Sequence, residues 1–552
     1  MNRASAGSLL AWCLTGLTAC SSGNSAAPIV TCHSAQATQV ALAIGAYASI
    51  DPGSDAGCVT FPANASSIDS AEYVVVPQST GGNPGGSAAF TLTNVNPAPT
   101  GPVRLVAAVR AAPSPVALKF DHLLRGLGRA QLLPVRTAAS AQVARGAAAT
   151  ITPPTVGSLR SFSVCSNLQC SKFATVAGRA QAVGAHVAIY VDTLAPPNGL
   201  DSADIDTLRQ TFDARLYALA TATFGAPSDL DSNGVVIALM TPVVNALVTT
   251  AQCDTAGYVA GFFFPPDLNL GLPTSQSNHG EVFYSVVADP SGTLSCAHSS
   301  ASVKRVAPST FVHEFQHMIN FAQHILIHTG PAAEEGWLDE GLSKYAEELA
   351  AESYLPGDTT TFHQYLDDNN LYDASLYLSG TGRSFLLIPF DNGTLADVGA
   401  AWLFTRYLVD QYGASLPGTL DQTTLTGAAN VASHTGQAFP TLVARWALAS
   451  WVSDLPGFTA PAELTYTSWH FRAEFDSLHT KFPTHFPVNY PLAPIAVGGA
   501  QVDLSGTLDA GSGVYVRALQ APGAAGFTLF LSGPNPASLS AVVPRLTVIR
   551  VR

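Results

Sequence analysis

Two histidines and a glutamate in one short run, Thr310-Phe311-Val312-His313-Glu314-Phe315-Gln316-His317-Met318-Ile319-Asn320, are the residues of this sequence best suited to chemistry. On a helix, residues four apart share a face, with a rise of about 6 Å between them. Two imidazoles so placed can converge on one Zn²⁺ with bonds of about 2.0–2.1 Å. Glu314 projects from the next position, where a carboxylate can take a proton from a water at the metal. Phe311, Phe315, Met318 and Ile319 would pack such a helix into a core. The pattern is HExxH, and its chemistry is metal-assisted hydrolysis of a peptide bond. An isolated HExxH also arises in helices whose histidines merely cover a surface, so a third ligand is needed to carry the reading.

A catalytic zinc takes three protein ligands and keeps one position open for water. The run Gly336-Trp337-Leu338-Asp339-Glu340-Gly341-Leu342-Ser343-Lys344-Tyr345-Ala346-Glu347-Glu348 offers the third in Glu340. Between His317 and Glu340 lie 22 residues, room for a loop at 329–334 and a second helix crossing the first. Glu347, two turns further along nearly the same face, can accept a hydrogen bond from a ligand histidine and fix its tautomer. Read blandly, Glu347 is a solvated helix carboxylate. His324 and His328 fall near the face of His317, but His324 would lie about 10 Å further along the axis, too far to share one ion. Glu334 and Glu335, just ahead of the second helix, stand behind Glu340 as further acids. Tyr345, His363, Tyr377 and Tyr407 are candidates to donate to a developing oxyanion.

The elements that must position these groups are legible in outline. Short β-like runs, Ala71–Pro77 and Ala88–Asn94, fill a stretch that ends in an Ala/Arg-rich segment before Pro153-Pro154. From about residue 156 strands and helices mix: AHVAIYVD, VVIALM and EVFYSVVA read as strands, and 205–224, 308–327, 335–351, 400–412 and 440–452 as helices. Residues 490–552 return to short strands with Gly/Pro/Ser turns. The expected fold is α+β, with β-rich modules at 35–155 and 490–552 flanking a central unit at 156–485.

HEFQHMIN followed by WLDEGLSKYAEEL resembles the hyicolysin family of bacterial metallopeptidases, with its HEFQH helix and downstream WLxEGLS helix. The similarity continues through AIYVD, FGAPSDLDSNG, GYVAGFFFPPDL and GAAWLFTRYLVDQYG, roughly residues 160–450. More broadly the chain is similar to gluzincins, whose third ligand is a Glu on the helix after HExxH. The resemblance implies a zincin-like metallopeptidase domain, a mixed sheet plus the HExxH helix, that binds one catalytic Zn²⁺. His313, His317 and Glu340 would be the ligands and Glu314 the general base. By the same analogy the strand EVFYSVVA would be the sheet edge on which an extended substrate pairs. Asp339 departs from the pattern, standing where relatives commonly have Asn.

Composition narrows the surroundings. Of 552 residues only 11% are charged and the net charge is −13, without a dense Lys/Arg run, so nucleic acid is excluded as a partner. With 47% hydrophobic residues the chain can bury a sizeable core. Residues 1–20 read as a signal peptide ending in Leu17-Thr18-Ala19-Cys20, which looks like the lipobox of bacterial lipoproteins, with a Ser/Gly tether at 21–34. Cys20 would carry lipid, so contact with the membrane is expected only through that anchor, in the cell envelope, or else the chain is secreted. With Cys13 removed too, six of eight cysteines remain and suggest disulfides between neighbours: Cys32 with Cys58, Cys165 with Cys170, and Cys253 with Cys296. Asp229-Leu230-Asp231-Ser232-Asn233-Gly234 starts like a Ca²⁺ loop, but its twelfth position is Met240. A polar turn is the plainer reading there. The functional expectation is an exported zinc peptidase acting on proteins or peptides; the competing one is a surface-anchored binding or adhesion lipoprotein with a non-catalytic zinc site.

Overall fold

Val236–Met240 is apolar at every position and buried on both faces, the composition of a strand covered by helices on either side. In a computed structural model, described here for residues 32, 38–52, 57–95, 105–106, 115–130, 152–389, 393–534 and 539–552, it forms the middle of a mixed sheet. The strand order is Gly261–Phe263, Val282–Ser285, Val236–Met240, Val187–Asp192, Phe173–Val183, Leu159–Cys165. Val236–Met240 runs parallel to both its neighbours, while Gly261–Phe263 is antiparallel to Val282–Ser285 and closes that side. The edge of the sheet on that side is therefore Gly261–Phe263. The strand within EVFYSVVA lies one place inward, where both its edges are paired, and cannot receive a substrate.

The site helix, Ser300–Phe321, is opened by Ser299, whose hydroxyl accepts the Ser302 N–H at 3.1 Å. It packs against the edge strand and Val282–Ser285, burying Phe311, Val312, Phe315, Met318 and Ile319. The companion helix, Gly336–Glu352, crosses it after a short loop. Gly341 lets that helix touch Leu395–Tyr412: a Cβ there would collide with Thr405 Oγ1 and stand 2.8 Å from the Ala401 carbonyl oxygen. Glu348, on the buried side, accepts hydrogen bonds from Trp402 Nε1 (2.8 Å), Trp469 Nε1 (2.6 Å) and Arg406 Nη1 (3.3 Å). A buried carboxylate so fully partnered fixes the rotation of the companion helix.

The two β-rich stretches do not form separate modules. One sheet runs Thr38–Gln39, Cys58–Phe61, Phe527–Ser532, Ser87–Asn94, Asp503–Asp509, Leu105–Val106; the other runs Ile495–Gly498, Val516–Gln520, Ala71–Ser79, Pro544–Arg550, Tyr47–Ile50. Strands from 35–155 and 490–552 are thus interleaved in both sheets. The physical reason is in the core between them, where Phe61 stacks on Phe527 with centroids 4.4 Å apart and meets Tyr73 edge-on at 4.9 Å. Each stretch supplies strands to both walls of that core, and neither completes a wall alone. Ala71–Ser79 is buried throughout because Tyr73 and Val75 face this sandwich while Val74 and Val76 face the helical unit.

The 35–155 stretch also contains an element its β-like runs obscure. Val116–Ala130 is a helix, with Val116, Phe120 and Leu124 buried at a spacing of four. All three expected disulfides are present: Cys32–Cys58, Cys165–Cys170 and Cys253–Cys296. Cys13, Cys20 and the residues proposed as signal peptide lie outside the described residues. Among the described residues no helix is long and apolar enough to cross a membrane.

Candidate metal centre

His313 and His317 project from the site helix towards Glu340 on the companion helix, and one donor atom from each lies within 4.8 Å of the others. The two Nε2 atoms are 3.1 Å apart, His317 Nε2 is 3.6 Å from Glu340 Oε1, and His313 Nε2 is 3.9 Å from Glu340 Oε2. Ligands at about 2.0–2.1 Å from a tetrahedral zinc stand roughly 3.3 Å from one another. The triangle thus has the size that one such ion requires.

The tautomers agree with this. Glu347 Oε1 is 2.7 Å from His313 Nδ1, and Asp339 Oδ1 is 2.9 Å from His317 Nδ1. The Glu347 carboxylate only accepts, and Ser343 Oγ, 3.0 Å from His317 Nδ1, gives its own proton to Gln316, so each Nδ1 carries a proton and each Nε2 presents a lone pair. Two lone pairs facing each other at hydrogen-bond distance repel unless a proton or a cation stands between them. Glu340 Oε1 is buried with no hydrogen-bond partner. An orphaned buried carboxylate oxygen beside converging imidazole lone pairs fits a divalent cation.

Glu314 is buried, and its Oε2 accepts the Phe263 N–H at 2.7 Å, which pins the carboxylate between the edge strand and the metal position. The site helix is held from behind: Gln316 Nε2 and Asn320 Nδ2 donate to Asp421 at 3.1 and 2.7 Å, and Ser343 Oγ reaches both Gln316 and His317.

Charge is concentrated here and drives large shifts. Burial and the Arg125 charge oppose protonation of His317, yet Asp339 and Glu340 raise it well above the usual range. Burial works against ionisation of Glu340 as well, but the nearness of His317 and Asp121 and the charge of His313 hold it well below. Asp121, from the helix Val116–Ala130, is pushed well above by burial.

Asp121 and Arg125 escaped the reading of the sequence, although the FDHLLRGL run carries a helical spacing that could have found them. Asp339, noticed only as a departure from the family pattern, stands beside His317 and 3.8 Å from Arg125. The other candidates lie elsewhere. His324 is buried 3.7 Å from Glu334, and burial lowers its pKa to about 4; His328 is exposed. Glu334 accepts from Asn430 Nδ2 at 2.8 Å, and Glu335 from Trp337 Nε1 at 2.7 Å. Tyr345 lies under Arg406, Tyr377 stacks on Trp446, the Tyr407 hydroxyl donates to the Glu463 carbonyl, and His363 pairs with Asp367. None of the four donors proposed for an oxyanion is in contact with the three candidate ligands.

No family model matches the chain. A stretch of 253 residues, 46% of this chain, is 26% identical to the neutral metalloprotease ShpI of Staphylococcus hyicus. The chain spans about half the length of this curated relative, 51%. That likeness supports a metallopeptidase relationship, and the chain's mixed α+β architecture is consistent with it.

Proposed function

We propose that this protein is an exported zinc-dependent endopeptidase of the gluzincin kind, close to the hyicolysin type, with His313, His317 and Glu340 as the metal ligands. The observation that carries the reading is the convergence of two Nε2 lone pairs and an orphaned Glu340 oxygen on one point, with the Glu314 carboxylate held beside it. Zinc, when bound there, lowers the pKa of a coordinated water towards about 7 and polarises the scissile carbonyl.

The chain's own residues do the rest. Glu314 accepts the proton of the attacking water and delivers it to the leaving amine. Glu347 and Ser343 hold the two imidazoles in the tautomer that leaves Nε2 free, and keep them from rotating. Gly261–Phe263, the sheet edge, is the surface that an extended peptide would pair with. A site serving adhesion alone needs no carboxylate fixed at the position of a base. The disulfides suit an oxidising compartment, and Cys20 is proposed as the point of lipid attachment.

Casein hydrolysis by the purified chain tests the proposal. Turnover should require zinc, be abolished by EDTA and be lost in Glu314→Gln, which still binds one zinc. A wild type that binds zinc but cleaves nothing more than that variant refutes it.

A further inference from the structure

The helix Val116–Ala130 lies where a substrate would have to go. Phe120 packs edge-on against Phe262 of the edge strand, with ring centroids 5.1 Å apart. Gly128 comes so close to the chain beyond that strand that a Cβ would stand 2.9 Å from Pro265 and 3.3 Å from Phe321. Arg125, buried, donates from Nη2 to the Phe263 carbonyl oxygen at 2.9 Å. With the Phe263 N–H given to Glu314, both backbone hydrogen-bonding groups of that residue are taken.

One turn earlier on the same helix, Asp121 stands beside the candidate centre. Its carboxylate lies within 4.8 Å of donor atoms of both Glu314 and His317. Asp121 Oδ1 pairs with Arg125 Nη2 at 3.1 Å, but Oδ2 is buried and has no hydrogen-bond partner. An ordinary i,i+4 ion pair on a helix surface does not bury one carboxylate oxygen unpartnered beside two other acids, Glu314 and Glu340. A cation at the candidate centre gives that oxygen its partner.

We infer that Val116–Ala130 keeps the site closed: Asp121 takes the coordination position that water and substrate need, Arg125 covers the sheet edge, and hydrolysis requires this helix to withdraw. The inference rests on the proposed zinc centre and adds its regulation. A bound carboxylate in the fourth position removes the open site that catalysis needs, so the fraction of open molecules sets the turnover.

The full chain, loaded with zinc for turnover or with cobalt for spectroscopy, tests it through Asp121→Ala and the isosteric Asp121→Asn. Lys119→Ala, on the exposed side of the same helix, serves as the control. Circular dichroism confirms folding, and the isostere keeps the test decisive if the alanine variant unfolds. Casein turnover should rise about tenfold or more in the Asp121 variants, as the population shifts to open molecules. The cobalt absorption bands should change, and added azide should perturb them in the variants but not in the wild type. The gain in turnover must vanish in Asp121→Ala combined with Glu314→Gln. Unchanged cobalt bands overturn the inference, as does turnover that falls in the Asp121 variants. Altered bands and azide entry without cleavage of casein by any variant would uphold the closed centre and sink the peptidase function instead.

Discussion

Two clusters of side chains in this molecule look alike by proximity and differ in the atoms they offer a cation. Asp229, Asp231 and Glu281 bring ligand atoms within 4.8 Å of one another, as His313, His317 and Glu340 do. At the first cluster the chain supplies its own donors. Ser228 Oγ and the Leu230 N–H reach Glu281 at 2.6 and 3.0 Å, the Asn233 N–H reaches Asp229 at 3.0 Å, and Arg160 Nη1 stands 3.0 Å from Asp231. At the second, Glu340 Oε1 and the neighbouring Asp121 Oδ2 have no partner. Asp231 Oδ1 is unpartnered as well, so an orphaned oxygen alone does not separate the two; the donor set does, two imidazole nitrogens converging with Glu340 at one and carboxylates alone at the other, and the calcium-like spelling of 229–234 describes a polar turn.

The contrast can be broken at either cluster. The largest effect is expected at Glu314: in whichever background turns over fastest, Glu314→Gln should cut casein hydrolysis by about 10²–10⁴-fold while elemental analysis still finds zinc. Retained activity would detach the chemistry from this cluster. Next comes the metal itself. Zinc in hundredfold excess over its dissociation constant should stabilise the folded chain by about 2.7 kcal/mol, seen as a higher Tm that EDTA reverses and Glu340→Gln abolishes.

A pH effect sharpens the other side. Burial raises Glu281 from 4.5 to about 7, so between those values the folded state holds a proton that the unfolded state has lost. Its contribution is therefore intact below 4.5 and disappears as pH rises through about 7. Tm followed across that window should decline, less steeply in Glu281→Gln; equal slopes would contradict the burial. The smallest effect belongs to Asp231→Ala, which breaks a partly exposed ion pair and should cost about 0.2–1 kcal/mol in chemical denaturation. Calcium should leave Tm unmoved in both wild type and variant, and a calcium-dependent rise in the wild type would erase the distinction drawn here.

What could be read from the sequence followed from local period. The spacing of His313 and His317, the apolar residues around them and the position of Glu340 are properties of two helices, and both helices stand where the pattern places them. The all-apolar run Val236–Met240 declared a central strand for the same reason. Three things were not local. The pairing of 35–155 with 490–552 depends on contacts such as Phe61 with Phe527, which no window of sequence contains. The edge strand Gly261–Phe263 is too short to outweigh EVFYSVVA as a candidate. The Asp121–Arg125 pair sits on a helix inside a stretch whose neighbours are strands, so its 3.6-residue period was outvoted by the texture around it.

The interleaved sandwich has a consequence in time. Thr60 meets Thr528 across a separation of 468 residues, and closing so long a loop is entropically costly and kinetically late. The helices bearing His313, His317 and Glu340 are close in sequence and can meet early. Val116–Ala130 follows strands of the sandwich, so it is expected to reach its place only as that late pairing forms. A refolding chain would then pass through an interval with its hydrolytic centre assembled and its cover still absent, when the nearest extended polypeptide is its own terminal strands. Refolding in zinc should yield clipped chains that refolding in EDTA does not.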